Sequence, residues 1–109
     1  MVKFNHNGKE YTLEFNRKTA FATERRGFRL DEINSKPLSN IPLLVWGAFQ
    51  KNHRKVTDEE TMKIFKSLNN RSELLNVLIE DYSATYTDLF GNEDSESGDG
   101  ENLTNWEVR

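Results

Sequence analysis

The sequence predicts an α+β fold that is mostly α. An N-terminal β-hairpin packs on a small bundle of about four helices, and a disordered acidic C-terminal tail follows. Three observations carry this. Asn7-Gly8 sits between two stretches of alternating polarity, the strongest short hairpin signal because both residues tolerate positive φ. Residues 41–49 form the most apolar run in the chain, and wound as a helix they are apolar over most of the circumference, which places them mid-core. After residue 91 the composition changes abruptly: Asp-Ser-Glu-Ser-Gly-Asp-Gly-Glu carries no apolar side chain, the signature of disorder. The chain thus divides into a globular part, residues 1–91, and a flexible tail, residues 92–109.

In the hairpin, Val2 and Phe4 alternate with Lys3 and Asn5, and Tyr11, Leu13 and Phe15 alternate with Thr12 and Glu14. A lone hairpin is marginal in water, so its apolar face needs helices beneath it. Asn16 is the expected N-cap of a first helix that runs to about Arg26 and ends at Gly27. Its apolar side is thin, made of Ala20, Phe21 and Ala22, with Phe28 just beyond the glycine. The stretch from Arg29 to Asn40 has room for one helical turn over residues 30–33 before Ser35-Lys36-Pro37 breaks it.

The central helix is expected to begin at Ser39 or Asn40 as cap, with Pro42 in its first turn, and to reach about His53. Ile41, Leu44, Val45, Ala48 and Phe49 share one face, and Leu43 and Trp46 cover a flank; Trp46 and Phe49 are assigned to the core. Thr57-Asp58-Glu59-Glu60 is a capping box, with Thr at the N-cap and Glu three residues on. The helix it opens buries Thr61, Ile64, Phe65 and Leu68. Asn70 or Ser72 then caps a longest, last helix with a stripe of Leu74, Leu75, Leu78, Tyr82, Tyr86 and Leu89, closed by Gly91. Short connections among the last three helices predict antiparallel neighbours.

Of the chain's 109 residues, 15 are Lys or Arg and 18 are Asp or Glu, giving a formal net charge of −3. Residues 91–109 hold six of the acids and one base, which leaves fourteen bases against twelve acids in the body. The acidity belongs to the tail, and the body is close to neutral. Without cysteine, disulfide scaffolding, thiolate zinc sites and thiol catalysis are excluded. The first residues turn polar at once, unlike a signal peptide, and the nine-residue apolar run falls well short of the ~20 residues that span a bilayer. A soluble intracellular protein is the expectation.

Little in the chain suggests catalysis. His6 falls in the hairpin turn and His53 at a helix end, each read as a solvated surface residue without a partner at ligand spacing. Asp58, Glu59 and Glu60 are explained by their place in a first helical turn. No glycine-rich phosphate loop occurs. Neither enzymatic activity nor a cofactor or metal is expected. Arg17, Lys18, Arg25, Arg26 and Arg29 could form a basic patch for nucleic acid or an acidic partner, but Glu24 and Asp31 are interspersed and the body is not strongly basic. Trp106, with Leu103 and Val108, stands out in an acidic tail that gains nothing from apolar residues unless something packs on them.

The order of these elements resembles a known family. Asn-Gly-Lys-x-Tyr-x-Leu-x-Phe-Asn (residues 7–16) precedes a helix ending near residues 24–27. Leu-Leu-Val-Trp-Gly-Ala-Phe (residues 43–49), a basic turn and Val-Thr-Asp-Glu-Glu (residues 56–60) come next, and a Leu-rich helix and an acidic tail with a late Trp complete the pattern. In this order the chain resembles the small tail assembly chaperones of long-tailed, siphovirus-type bacteriophages and prophages. The resemblance implies a non-enzymatic factor in the bacterial host cytoplasm that binds the tape measure protein and recruits tail tube subunits, and that is not retained in the finished virion. Self-association fits the same reading, membrane binding does not, and nucleic-acid binding through the basic patch is the competing one. An apolar groove or helix face is then required. The partner-facing residues assigned to it are Leu103, Trp106 and Val108 in the tail and Phe28, Met62 and Ile79 in the body.

Overall fold

The computed structural model describes residues 1–90. Strands β1 (Val2–His6) and β2 (Lys9–Leu13) form the hairpin, followed by α1 (Arg17–Arg25), a 3-10 turn (Leu30–Glu32), α2 (Pro37–Gln50), α3 (Asp58–Lys66) and α4 (Arg71–Phe90). Asn7 and Gly8 both take positive φ, 52° and 80°, the two-residue turn whose twist matches that of the strands. The antiparallel register sets Val2 opposite Leu13 and Phe4 opposite Tyr11, and the Phe4 and Tyr11 rings stack at 5.5 Å.

That face of the hairpin rests on α2. Tyr11 meets Phe49 edge-on at 5.8 Å, and the Glu14 N–H donates to the Ala48 carbonyl at 3.1 Å. The outward groups of Thr12 are also satisfied: its N–H donates to His53 Nε2 at 3.0 Å, and its carbonyl accepts from Asn52 Nδ2 at 3.3 Å. The turn after α2 thereby covers a strand edge that would otherwise be open to pairing.

α2 is the hub, packing on β2, α1, α3 and α4, as its apolar circumference predicts. Leu44, Val45, Ala48 and Phe49 are fully buried. Its start departs from expectation. Pro37 occupies the first turn, Pro42 lies inside the helix, and Asn40 is no cap. Asn40 is only 2% exposed and works as a latch. Its Oδ1 accepts from the Arg29 N–H at 2.8 Å, while its Nδ2 donates to the carbonyls of Lys36 (2.9 Å) and Glu32 (3.4 Å). The amide thus ties down the connection that precedes its own helix.

Where α1 crosses α2, Gly47 leaves no room for a side chain: a Cβ there would collide with Thr23 Oγ1 and come within 2.9 Å of the Phe15 ring. α1 carries the expected Asn16 cap, whose Oδ1 accepts from the Thr19 N–H at 2.8 Å, and Thr19 returns the bond. Its buried face is Ala20 and Thr23, not Phe21. The Thr57–Glu60 capping box opens α3, which buries Thr61, Ile64 and Phe65; Leu68, assigned to that face, is half-buried.

In α4, Leu78 and Tyr82 enter the core and Leu74, Leu75 and Tyr86 pack at its margin, whereas Leu89 stands 61% exposed. The helix outruns the core, so the end of its stripe has nothing to cover. α4 packs on α1 and α2; the short link to α3 does not make those two helices principal neighbours. Among the described residues no helix is long and apolar enough to cross a membrane.

Candidate functional site

An open, largely apolar surface lies between α1, the chain just after it and the last turns of α4. Two adjoining depressions of about 480 and 630 Å³ share Glu24, Tyr82, Tyr86 and Leu89 as lining. One extends along α1 over Ala20 and Phe21, with Arg17 and Lys18 at its rim. The other runs past Phe28 and Leu30, with Arg29 and Asp31 at its rim. Together they make one groove.

Its floor is built by an aromatic chain. Tyr82 meets Phe28 at 5.0 Å, Phe15 at 5.5 Å and Tyr86 at 6.1 Å, all edge-on, the geometry that sets ring edges against ring faces. The Tyr82 hydroxyl donates to Glu24 Oε2 at 3.0 Å. Burial and, after it, the Glu24 carboxylate push the Tyr82 phenol well above its ordinary pKa, so it remains a protonated donor. Glu24 is thereby engaged. The apolar walls are Phe21, 57% exposed, and Leu89.

Four cations surround this surface. The Arg25 guanidinium lies 5.7 Å from the centre of the Phe21 ring. Arg17, Lys18 and Arg29 form no ion pair among the described residues. Arg26, which the basic-patch reading groups with them, is used otherwise: it pairs with Asp58 at 2.6 Å and covers the Trp46 ring at 4.3 Å, joining α1, α2 and α3. The pairing holds the Asp58 carboxyl below its ordinary pKa. Trp46, assigned to the core, is half-buried beneath that guanidinium, whereas Phe49 is core as expected.

The residues singled out from sequence do not gather at this groove. Phe28 is a correction: at 2% exposure it belongs to the core, because Gly27, at φ 109°, turns the chain so that the ring swings under Tyr82. Only its edge reaches the floor. Ile79 is half-buried against the core on α4. Met62 is also half-buried and borders a separate shallow depression with Asp58, Glu59, Lys63 and Lys66. Leu103, Trp106 and Val108, the closing Gly91 and the tail from residue 92 lie outside the described residues. The residues missed are Phe21 and Leu89, both read as core-facing. The signal was available for Phe21, which lies about 100° around the helix from Ala20 and off the Ala20–Thr23 side.

His53 is a further correction. It is half-buried, set against Tyr11 at 4.9 Å and Phe49 at 6.1 Å and accepting the Thr12 N–H. Burial, with a smaller effect from Lys9, lowers its pKa. His6 sits at the hairpin end, with its Nδ1 3.2 Å from Ser67 Oγ. Among the described residues no three His, Asp or Glu side chains are grouped to hold a metal ion.

Fold and groove together define a small α+β domain in which a hairpin and a helical bundle present one apolar, base-rimmed surface. The chain belongs to the DUF5055 family, a domain of unknown function, whose model matches residues 1–108. No curated protein and no solved structure gives a significant match.

Proposed function

We propose that this protein is a non-enzymatic assembly chaperone of long-tailed bacteriophages, acting in the host cytoplasm. It binds an amphipathic helical segment of the tape measure protein in the α1–α4 groove and brings tail tube subunits to it. The observation that carries this reading is the groove itself: an exposed Phe21–Leu89 surface on an aromatic floor, ringed by cations. An apolar helix face fits such a groove, and acidic residues flanking that face would meet Arg17, Lys18, Arg25 and Arg29. The order of elements that resembles tail assembly chaperones supplies the identity of the partner. The competing nucleic-acid reading rests on the basic patch, from which Asp58 and Trp46 withdraw Arg26, leaving Arg17, Lys18, Arg25 and Arg29.

The test is co-expression with the tape measure protein from the same phage or prophage, followed by fractionation. The reading expects the tape measure to move from pellet to supernatant and to co-purify with this chain. A tape measure that stays in the pellet, with no association, contradicts it.

A further inference from the structure

The groove opens at Leu89, one residue before the end of α4, and the chain that leaves α4 there is the acidic tail. We propose that the tail's own Leu103–Trp106–Val108 segment occupies the α1–α4 groove of the same molecule, with the Trp106 indole on the Phe21 and Leu89 surface and the tail's carboxylates toward the cationic rim.

Chemistry, reach and extent support this occupant. Residues 91–109 carry six acids and one base, and their largest apolar side chain is Trp106. Among the described residues the groove offers two exposed apolar side chains, with Arg17, Lys18 and Arg29 in its lining and Arg25 against Phe21; the acids in that lining are Glu24, already engaged by Tyr82, and Asp31. Indole suits such a surface because it packs on ring edges and attracts guanidinium to its face. Sixteen residues lead from Phe90 to Trp106 and can extend to about 50 Å, whereas nine-residue α1 is only about 14 Å long. The segment can therefore turn back along the groove without strain. Attachment through a tether this short gives an effective concentration on the order of millimolar, so a weak contact suffices. The family model reaches residue 108, so Leu103, Trp106 and Val108 fall within the matched sequence.

The inference concerns the groove's resting occupant and does not depend on which partner the protein serves. Isotope-labelled full-length protein and its Trp106→Ala variant are compared by amide NMR spectra, with Leu89→Glu as the reciprocal variant. Docking predicts that Trp106→Ala shifts the amides of Phe21, Glu24, Arg25, Thr85 and Leu89, to the same extent at high and low protein concentration. It also predicts that Leu89→Glu shifts the Trp106 indole N–H while leaving that of Trp46 in place. Amide changes confined to the neighbours of residue 106 overturn the proposal. Groove shifts that fade on dilution overturn it too, because they place a second copy's tail in the groove.

Discussion

Gly47 decides how closely α1 can approach α2, and it sets two effects against each other. In a helix interior, Gly→Ala ordinarily gains about 1 kcal/mol. Here the added methyl meets Thr23 Oγ1 and the Phe15 ring, and forcing atoms into a filled core costs about 1–3 kcal/mol. Gly47→Ala is therefore expected to lower the urea midpoint, and the loss should shrink in a Thr23→Ala background, which removes the colliding oxygen. An unchanged or raised midpoint would show that the helices can move apart freely. His53 gives a second prediction at this scale. Its folded pKa lies below its unfolded value of about 6.5, so as pH falls the unfolded chain takes up the proton first. Stability is full above about pH 7 and declines as pH drops from about 6.5 through the folded pKa, where the imidazole loses its acceptor role toward Thr12. Glu14, held low chiefly by its hydrogen bond from Asn52, and Asp58, held low by Arg26, act in a more acidic window. Melting temperatures measured between pH 7 and 5 should fall for the parent protein and stay flatter for His53→Gln; parallel curves would remove His53 from this role.

At the scale of elements, α4 is two things in succession: a core helix through Tyr82 and a groove wall beyond it. Leu78→Ala should destabilise by about 2–5 kcal/mol, since it empties a fully buried site. Leu89→Glu should cost clearly less, at most about 1 kcal/mol, because Leu89 is 61% exposed and gives up only a surface contact. Comparable losses at both positions, measured by denaturant unfolding, would show that Leu89 is held as tightly as Leu78. The sequence disclosed the elements governed by neighbours a few residues apart. The Asn7-Gly8 turn, the Asn16 cap and the Thr57–Glu60 box each close their hydrogen bonds within three residues, so their signals are local. Misreadings occurred where the deciding partner is distant in sequence. Asn40 resembles a cap until the Arg29 N–H, eleven residues earlier, claims it, and His53 resembles a surface residue until Thr12, forty-one residues away, does the same. Phe21 and Phe28 exchanged expected roles because the turn at Gly27 decides which ring faces inward. The groove was illegible for the same reason, since its walls come from residues 17–31 and 82–89.

For the whole molecule, the proposed interaction surface lies over the core rather than inside it. Leu13, Ala20, Leu44, Phe65 and Leu78 bring the hairpin and all four helices into that core, while Phe21 and Leu89 are exposed on the α1–α4 side and Leu38 is exposed in the first turn of α2. A surface built this way can be altered without unfolding the domain, which makes the proposed function separable from stability. The most direct measurement is therefore the co-expression and fractionation experiment run in parallel with the parent chain, Leu89→Glu and a Lys66→Glu control on α3. The account predicts a soluble, co-purifying tape measure protein with the parent and with Lys66→Glu, and its return to the pellet with Leu89→Glu although that variant remains folded. Equal solubilisation by all three chains would contradict the groove as the binding surface, and none by any of them would contradict the chaperone reading itself.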